Sequence, residues 1–106
     1  MPRYLWQASY TAEGTRGVLR DGAAKRRKVV KDLVEGLGGK LELFDYALGD
    51  TDAFIIADLP DNATATAVSM VVCAGGGATL RTTVLIPPEE VDRAAAKPIA
   101  YTPPGK

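Results

Sequence analysis

The sequence predicts an α+β fold of the ferredoxin-like kind, βαββαβ: a four-stranded antiparallel sheet with helices on one face, plus a C-terminal helical appendage. Three observations carry this expectation. Residues 40–59 read as two strands joined by a turn at Gly49-Asp50. A strand-like and then a helix-like segment precede this hairpin; a helix-like and then a strand-like segment come after it. Glycines stand where each helical pattern stops, at Gly38-Gly39 and at Gly75-Gly76-Gly77.

Size and composition bound the rest. With 106 residues the chain has room for one core, so residues 1–106 are read as a single domain. Thirteen basic residues cancel thirteen acidic ones, so no long-range field draws the chain to nucleic acid or to a membrane surface. No apolar run reaches the ~18 residues of a spanning helix. Met1-Pro2-Arg3-Tyr4 leads directly into a strand pattern without the apolar segment of a secretory leader. The one cysteine, Cys73, excludes an internal disulfide and a cysteine-rich zinc site. A cytoplasmic location is expected. There is no histidine, which removes the usual general base near neutral pH and any Ser-His-Asp or Cys-His arrangement. No metal and no cofactor are expected.

The elements succeed one another in a clear order. Residues 3–10 form the first strand, with Tyr4, Trp6, Ala8 and Tyr10 on one face and Arg3, Leu5, Gln7 and Ser9 on the other. Residues 11–14 read as a turn, and Thr15 as a cap for the helical segment after it. Residues 18–37 read as one helix: Leu19, Ala23, Val30, Leu33, Val34 and Leu37 recur at the spacing of a buried stripe, with Gly22 as its weak point. In the hairpin, Glu42, Phe44, Tyr46 and Leu48 share one face of the second strand. The third strand is apolar on both faces, which places it inside the sheet. Asp61 or Asn62 caps a second helix over residues 63–74, in which Cys73 reads as a small buried residue. Residues 78–86 form the fourth strand, with Thr79, Arg81, Thr83 and Leu85 on one side. Pro87-Pro88-Glu89-Glu90 opens a short helix to about residue 97. An extended tail ends the chain.

Two features point toward a site. Arg26 lies within about 40° of Val30 on a helical projection, inside the apolar stripe. Its stem either snorkels along the core edge or aims the guanidinium at an anionic group. A sheet with helices on one face leaves the other bare. Phe44, Tyr46, Arg81 and Thr83, together with Tyr4, Trp6 and Tyr10, are expected on that bare face, where a second copy of the chain would cover them.

Several segments along the chain resemble the GYD domain family: Tyr4-Leu5 and Tyr10-Thr11-Ala12-Glu13-Gly14, Leu37-Gly38-Gly39-Lys40-Leu41, Leu48-Gly49-Asp50-Thr51-Asp52, Leu59-Pro60-Asp61-Asn62, Pro88-Glu89-Glu90-Val91, and Tyr101 with Pro103-Pro104-Gly105. Gly49 and Asp52 match the motif that names the family, whereas Thr51 stands at its usual tyrosine. The resemblance implies a ferredoxin-like chain of the dimeric α/β-barrel type and passes on no biochemical role. Barrels of this type include cofactor-independent oxygenases and isomerases, so catalysis is left open.

The functional expectation is an oligomeric small-molecule-binding protein with a cavity at the sheet face. The cavity lies between sheet and helices or between two sheets. Trp6, Tyr10, Phe44 and Tyr46 form its walls, and Arg26 and Arg81 hold a small apolar or anionic ligand. Asp52 is either a base or a cap on the backbone of its own turn. The alternative is a non-catalytic interaction or regulatory module whose sheet face serves only as a dimer interface. An RNA-binding sheet is disfavoured, since residues 52–59 lack a basic-Gly-aromatic pattern. The expected partner is a second copy, with no nucleic acid and no membrane.

Overall fold

Eight elements succeed one another: β1 (Arg3–Tyr10), α1 (Ala12–Asp21), α2 (Ala23–Gly36), β2 (Lys40–Tyr46), β3 (Ala53–Asp58), α3 (Asn62–Ala74), β4 (Ala78–Leu85) and α4 (Pro88–Ala95). They are seen in a computed structural model that describes residues 1–106. The strands form one antiparallel sheet in the order β2-β3-β1-β4. This is the ferredoxin-like arrangement, with β3 and β1 inside.

One sheet face packs under the helices. The pairing sets Tyr4 beside Ala57, Trp6 beside Ile55, and Ala8 beside Ala53. These residues join Phe44, Val34, Leu59, Ala65 and Val68 in a single buried cluster. Here the structure corrects the sequence reading. The aromatic set of Tyr4, Trp6, Tyr10 and Phe44 lies on the covered face. Arg81 and Thr83 lie on the bare one, paired with Gln7 and Leu5. The reason is packing volume. α3 presents Ala65 and Val68 to the sheet, and such small side chains leave space that large rings fill. Tyr4 is held there by a polar contact as well, its hydroxyl donating to Asn62 Oδ1 at 2.6 Å.

A second correction concerns the first helix. The segment read as continuous over residues 18–37 is two helices broken at Gly22, whose φ of +95° ends one and begins the other. α1 begins earlier than expected. Thr11, not Thr15, is its cap, with Oγ1 accepting from Gly14 N at 3.1 Å. Thr11 also ties the start of α1 to the α3–β4 turn, donating from its backbone N to Gly77 O at 3.0 Å and from Oγ1 to Gly76 O at 2.8 Å. Leu19, expected in the core, is 81% exposed as a result. The two remaining differences are smaller. A bulge between Leu41 and Leu43 brings Leu41 onto the face of Phe44 and Tyr46. Cys73, read as buried, is exposed on α3.

Beyond β4 the chain leaves the body. Every residue from 86 to 106 is exposed, including Ile86, Val91, Ile99 and Tyr101. The Cα radius of gyration of 17.2 Å exceeds the ~13 Å of a compact chain of this length. Ending the chain after Pro87 is therefore expected to leave the thermal midpoint within about 3 °C of the full chain. A circular-dichroism melt checks it; a larger drop would mean that the arm is buried in an assembly.

Candidate functional site

The broken helix is what makes a cavity. Because α1 is pinned to the α3–β4 turn and α2 starts afresh at Ala23, a gap stays open between α1, α2 and α3. It forms an outer chamber of about 340 Å³, whose rim carries Gly14, Gly17, Gly75 and Gly77. A smaller inner chamber of about 50 Å³ lies beneath it, between the sheet and the helices, walled by Trp6, Phe44, Ile55, Val30 and Val68. Tyr10, Arg26, Val72 and Ala78 border both chambers and form the neck between them.

Arg26 is the one charged side chain of the inner chamber. It is half-buried, and no carboxylate lies within 4 Å of it. At the outer rim, by contrast, Arg20 Nε is already paired with Asp21 Oδ1 at 3.2 Å. A guanidinium with no carboxylate partner has the chemistry to pair with an anionic group.

The neck's other polar group is Tyr10. Its ring stacks on Tyr46 with centroids 6.2 Å apart, and the two hydroxyls approach to 3.4 Å. Phe44 meets Tyr46 edge-on at 5.4 Å. Desolvation, and then the hydrogen bond to Tyr10, push the Tyr46 phenol well above its ordinary pKa, while the nearby charge of Arg26 acts the other way. Desolvation likewise raises Tyr4. Folding thus holds these protons more tightly than the unfolded chain does. The associated stability is complete below about pH 10 and is lost as pH climbs past it, because the unfolded state releases the protons first. Urea midpoints are expected to fall between pH 8 and pH 11, and by less in Tyr46→Phe. An equal fall in both proteins would remove Tyr46 from this account.

The five residues singled out from the sequence therefore separate. Trp6, Tyr10 and Arg26 come together at the cavity. Tyr46 stands behind Tyr10 and borders neither chamber. Arg81 is on the opposite sheet face, where its Nη2 donates to Gln7 Oε1 at 3.1 Å and to Thr51 Oγ1 at 3.5 Å. Thr51 itself donates to Gln7 at 3.3 Å and is buried there.

Asp52 does not cap the backbone of its own turn. Its Oδ2 accepts from Tyr10 N at 2.8 Å, and its own backbone N donates to Ala8 O at 2.8 Å, tying the hairpin loop to the end of β1. That anchoring sets where Tyr10 leaves the strand. Sequence reasoning missed the glycine rim. Its signal was the clustering of Gly14, Gly17, Gly75 and Gly77, which reads as turns until α1 and α3 meet.

The family model of the GYD domain matches residues 4–95. The chain belongs to the GYD domain family. The match covers the whole sheet, the three helices around the cavity and α4, and ends before the extended tail. None of the curated proteins and none of the solved structures matches this GYD chain. No helix in it is long and apolar enough to cross a membrane, and no three acidic or cysteine side chains converge as a metal site.

Proposed function

We propose that this GYD protein is a cytoplasmic homodimer that binds a small molecule in the two-chamber cavity between its sheet and its helices. The observation that carries the reading is Arg26, an unpaired cation at the neck of an apolar chamber. An apolar pocket with a few converging polar groups is the usual form of a ligand site. Nothing at the neck provides a free carboxylate or imidazole base, so binding is favoured over catalysis.

The bare sheet face supports the dimer. Leu5, Phe54 and Ile56 are only partly covered there. The face carries both signs of charge, with Arg3 held by Glu42 at 2.7 Å and Asp58 at its edge. A two-fold partner can match such a surface to itself.

Native mass spectrometry of freshly purified protein, repeated under denaturing conditions, tests both parts. The expected result is a dimer carrying an extra small mass that is lost on denaturation, and lost also from Arg26→Ala. Bare dimers, with Arg26→Ala unchanged in every respect but stability, would favour an interaction module whose sheet face is only an interface. A monomer would overturn the dimer.

A further inference from the structure

The chain beyond β4 forms an arm that its own body leaves uncovered. Its hydrogen bonds outside regular helix stay within it, as from Glu90 N to Pro87 O at 3.0 Å and from Lys106 N to Pro103 O at 3.2 Å. No ion pair reaches it. At about 100° per residue, Pro88, Val91, Ala94 and Ala95 fall on one side of α4, and Glu89, Glu90, Asp92 and Arg93 on the other. Such a stripe belongs to a helix with one covered side. With eight residues, α4 is shorter than the ~12–15 residues that an isolated helix needs to hold in water. Its helical form therefore calls for packing that its own body does not give. Ile86, Ile99 and Tyr101 extend the uncovered apolar surface beyond both ends of the helix, each more than half exposed.

Two observations identify what covers the arm. The first is area. The chain exposes 7309 Å², whereas a compact monomer of its 11.2 kDa exposes about 5,700 Å². The excess, about 1,600 Å², is twice the ~800 Å² that one partner buries in a dimer of ordinary size. The second is direction. Leu85, the last residue of β4, alternates with Thr83 and Arg81 onto the bare sheet face, beside Arg3. The arm thus leaves from the margin of the face on which the second copy is proposed to sit. Pro87 and Pro88 follow at once, with Pro87 extended at φ −68° and ψ 152°. Two prolines in succession make a stiff joint, which holds the arm out from its own body, and the molecule is 58 Å long as a result.

We infer that the arm, residues 86–106, lies across a second copy of this chain, and that the two copies exchange arms, each covering the other's Val91 stripe, Ile99 and Tyr101. This inference rests on the homodimer proposed above. An arm that reaches across a two-fold axis is answered by its equivalent in the opposite sense, so both arms are covered and neither is left over. The small thermal effect expected above for the chain ended after Pro87 belongs to separate copies in dilute solution. Paired copies lose the contacts of the arm with it.

Amide hydrogen exchange of the full chain, read by mass spectrometry below and above the dimer midpoint found by analytical ultracentrifugation, tests the exchange of arms. Residues 89–101 are expected to exchange at least about tenfold more slowly when copies are paired. Val91→Asp is expected to weaken the dimer at least about tenfold, and Val91→Ile to keep its affinity. An unchanged melt of dilute Val91→Asp shows that its body is intact. Protection of the arm that persists in the monomer would mean that it folds onto its own body. Rapid exchange of the arm in paired copies would mean that it is free in the dimer. Either result overturns the exchange of arms while the homodimer stands. Equal affinities of Val91→Asp and the native chain would remove the α4 stripe from the interface. A chain that stays monomeric throughout removes the homodimer itself, and this inference with it.

Discussion

Trp6→Ala is expected to remove about 4 kcal/mol of folding stability, a large share of what a domain of this size possesses. Trp6 sits at the middle of β1, between Ile55 on β3 and Thr82 on β4, with 1% of its surface exposed. Its ring fills the space above the sheet that the small side chains of α3 leave open. Alanine would empty that space, and the lining cannot collapse, because Ala8, Ala53 and Ala57 around it are already small. The existing inner chamber would enlarge. Urea denaturation followed by far-ultraviolet circular dichroism measures the loss. Trp6→Phe is expected to retain a folded protein, since a ring remains in the same place. A loss below about 1 kcal/mol for Trp6→Ala would mean that the ring is not in the core, and the inner chamber would have to be abandoned with it.

The second large effect is a contrast between two glycines three positions apart. Gly39→Ala is expected to cost about 3 kcal/mol or more. A Cβ there would fall inside the contact radius of the Asp58 carbonyl oxygen, 3.0 Å from Leu59 Cδ2 and 3.1 Å from Val34 Cγ1. Two of those three obstacles are fully buried side chains and the third is backbone of the neighbouring strand, so none can swing aside. Gly36→Ala meets nothing within 4 Å at the end of α2. It is expected to stabilise by about 0.5–1 kcal/mol, because alanine is the better helix former and restricts the unfolded chain. Opposite signs in paired urea melts are the expected outcome. Equal effects would mean that the approach of β2 to β3 at Gly39 is looser than described.

Much of this was legible in advance, and the reasons differ from residue to residue. The alternation of Ala53, Ile55 and Ala57 with Phe54 and Ile56 predicted the two faces of β3 correctly, because strand periodicity is a local property. Asp61 was readable as a cap and is one. It accepts from Thr64 N at 2.8 Å and Thr64 Oγ1 at 2.7 Å, bonds that hold its carboxyl below the ordinary range. Arg26 stood out by its position inside an apolar stripe, and it does reach a cavity. The break at Gly22 was visible only as a weak point. Leu19 and Ala23 continue the stripe across it, so the pattern alone favours one helix. What decides the break is the anchoring of Thr11 to Gly76 and Gly77, more than sixty positions away. The bulge at Glu42 likewise arises from pairing with β3, where Arg3 reaches across to hold the Glu42 carboxylate.

The sequence by itself determined the four strands, the helix after the hairpin and the C-terminal helix, with their order and approximate bounds, and with them the family, but it ran α1 and α2 together. Periodicity, caps and glycine breaks act over a few residues and need no knowledge of the rest of the chain. Only the tertiary structure decided which sheet face the helices cover, and hence that Trp6, Tyr10 and Arg26 line one cavity while Arg81 lies on the opposite sheet face. β3, at the centre of the sheet, is apolar on both faces and does not choose between them. The choice between them rests on how large rings from β1 fit the small side chains of α3, a match between segments about sixty residues apart that no local pattern records.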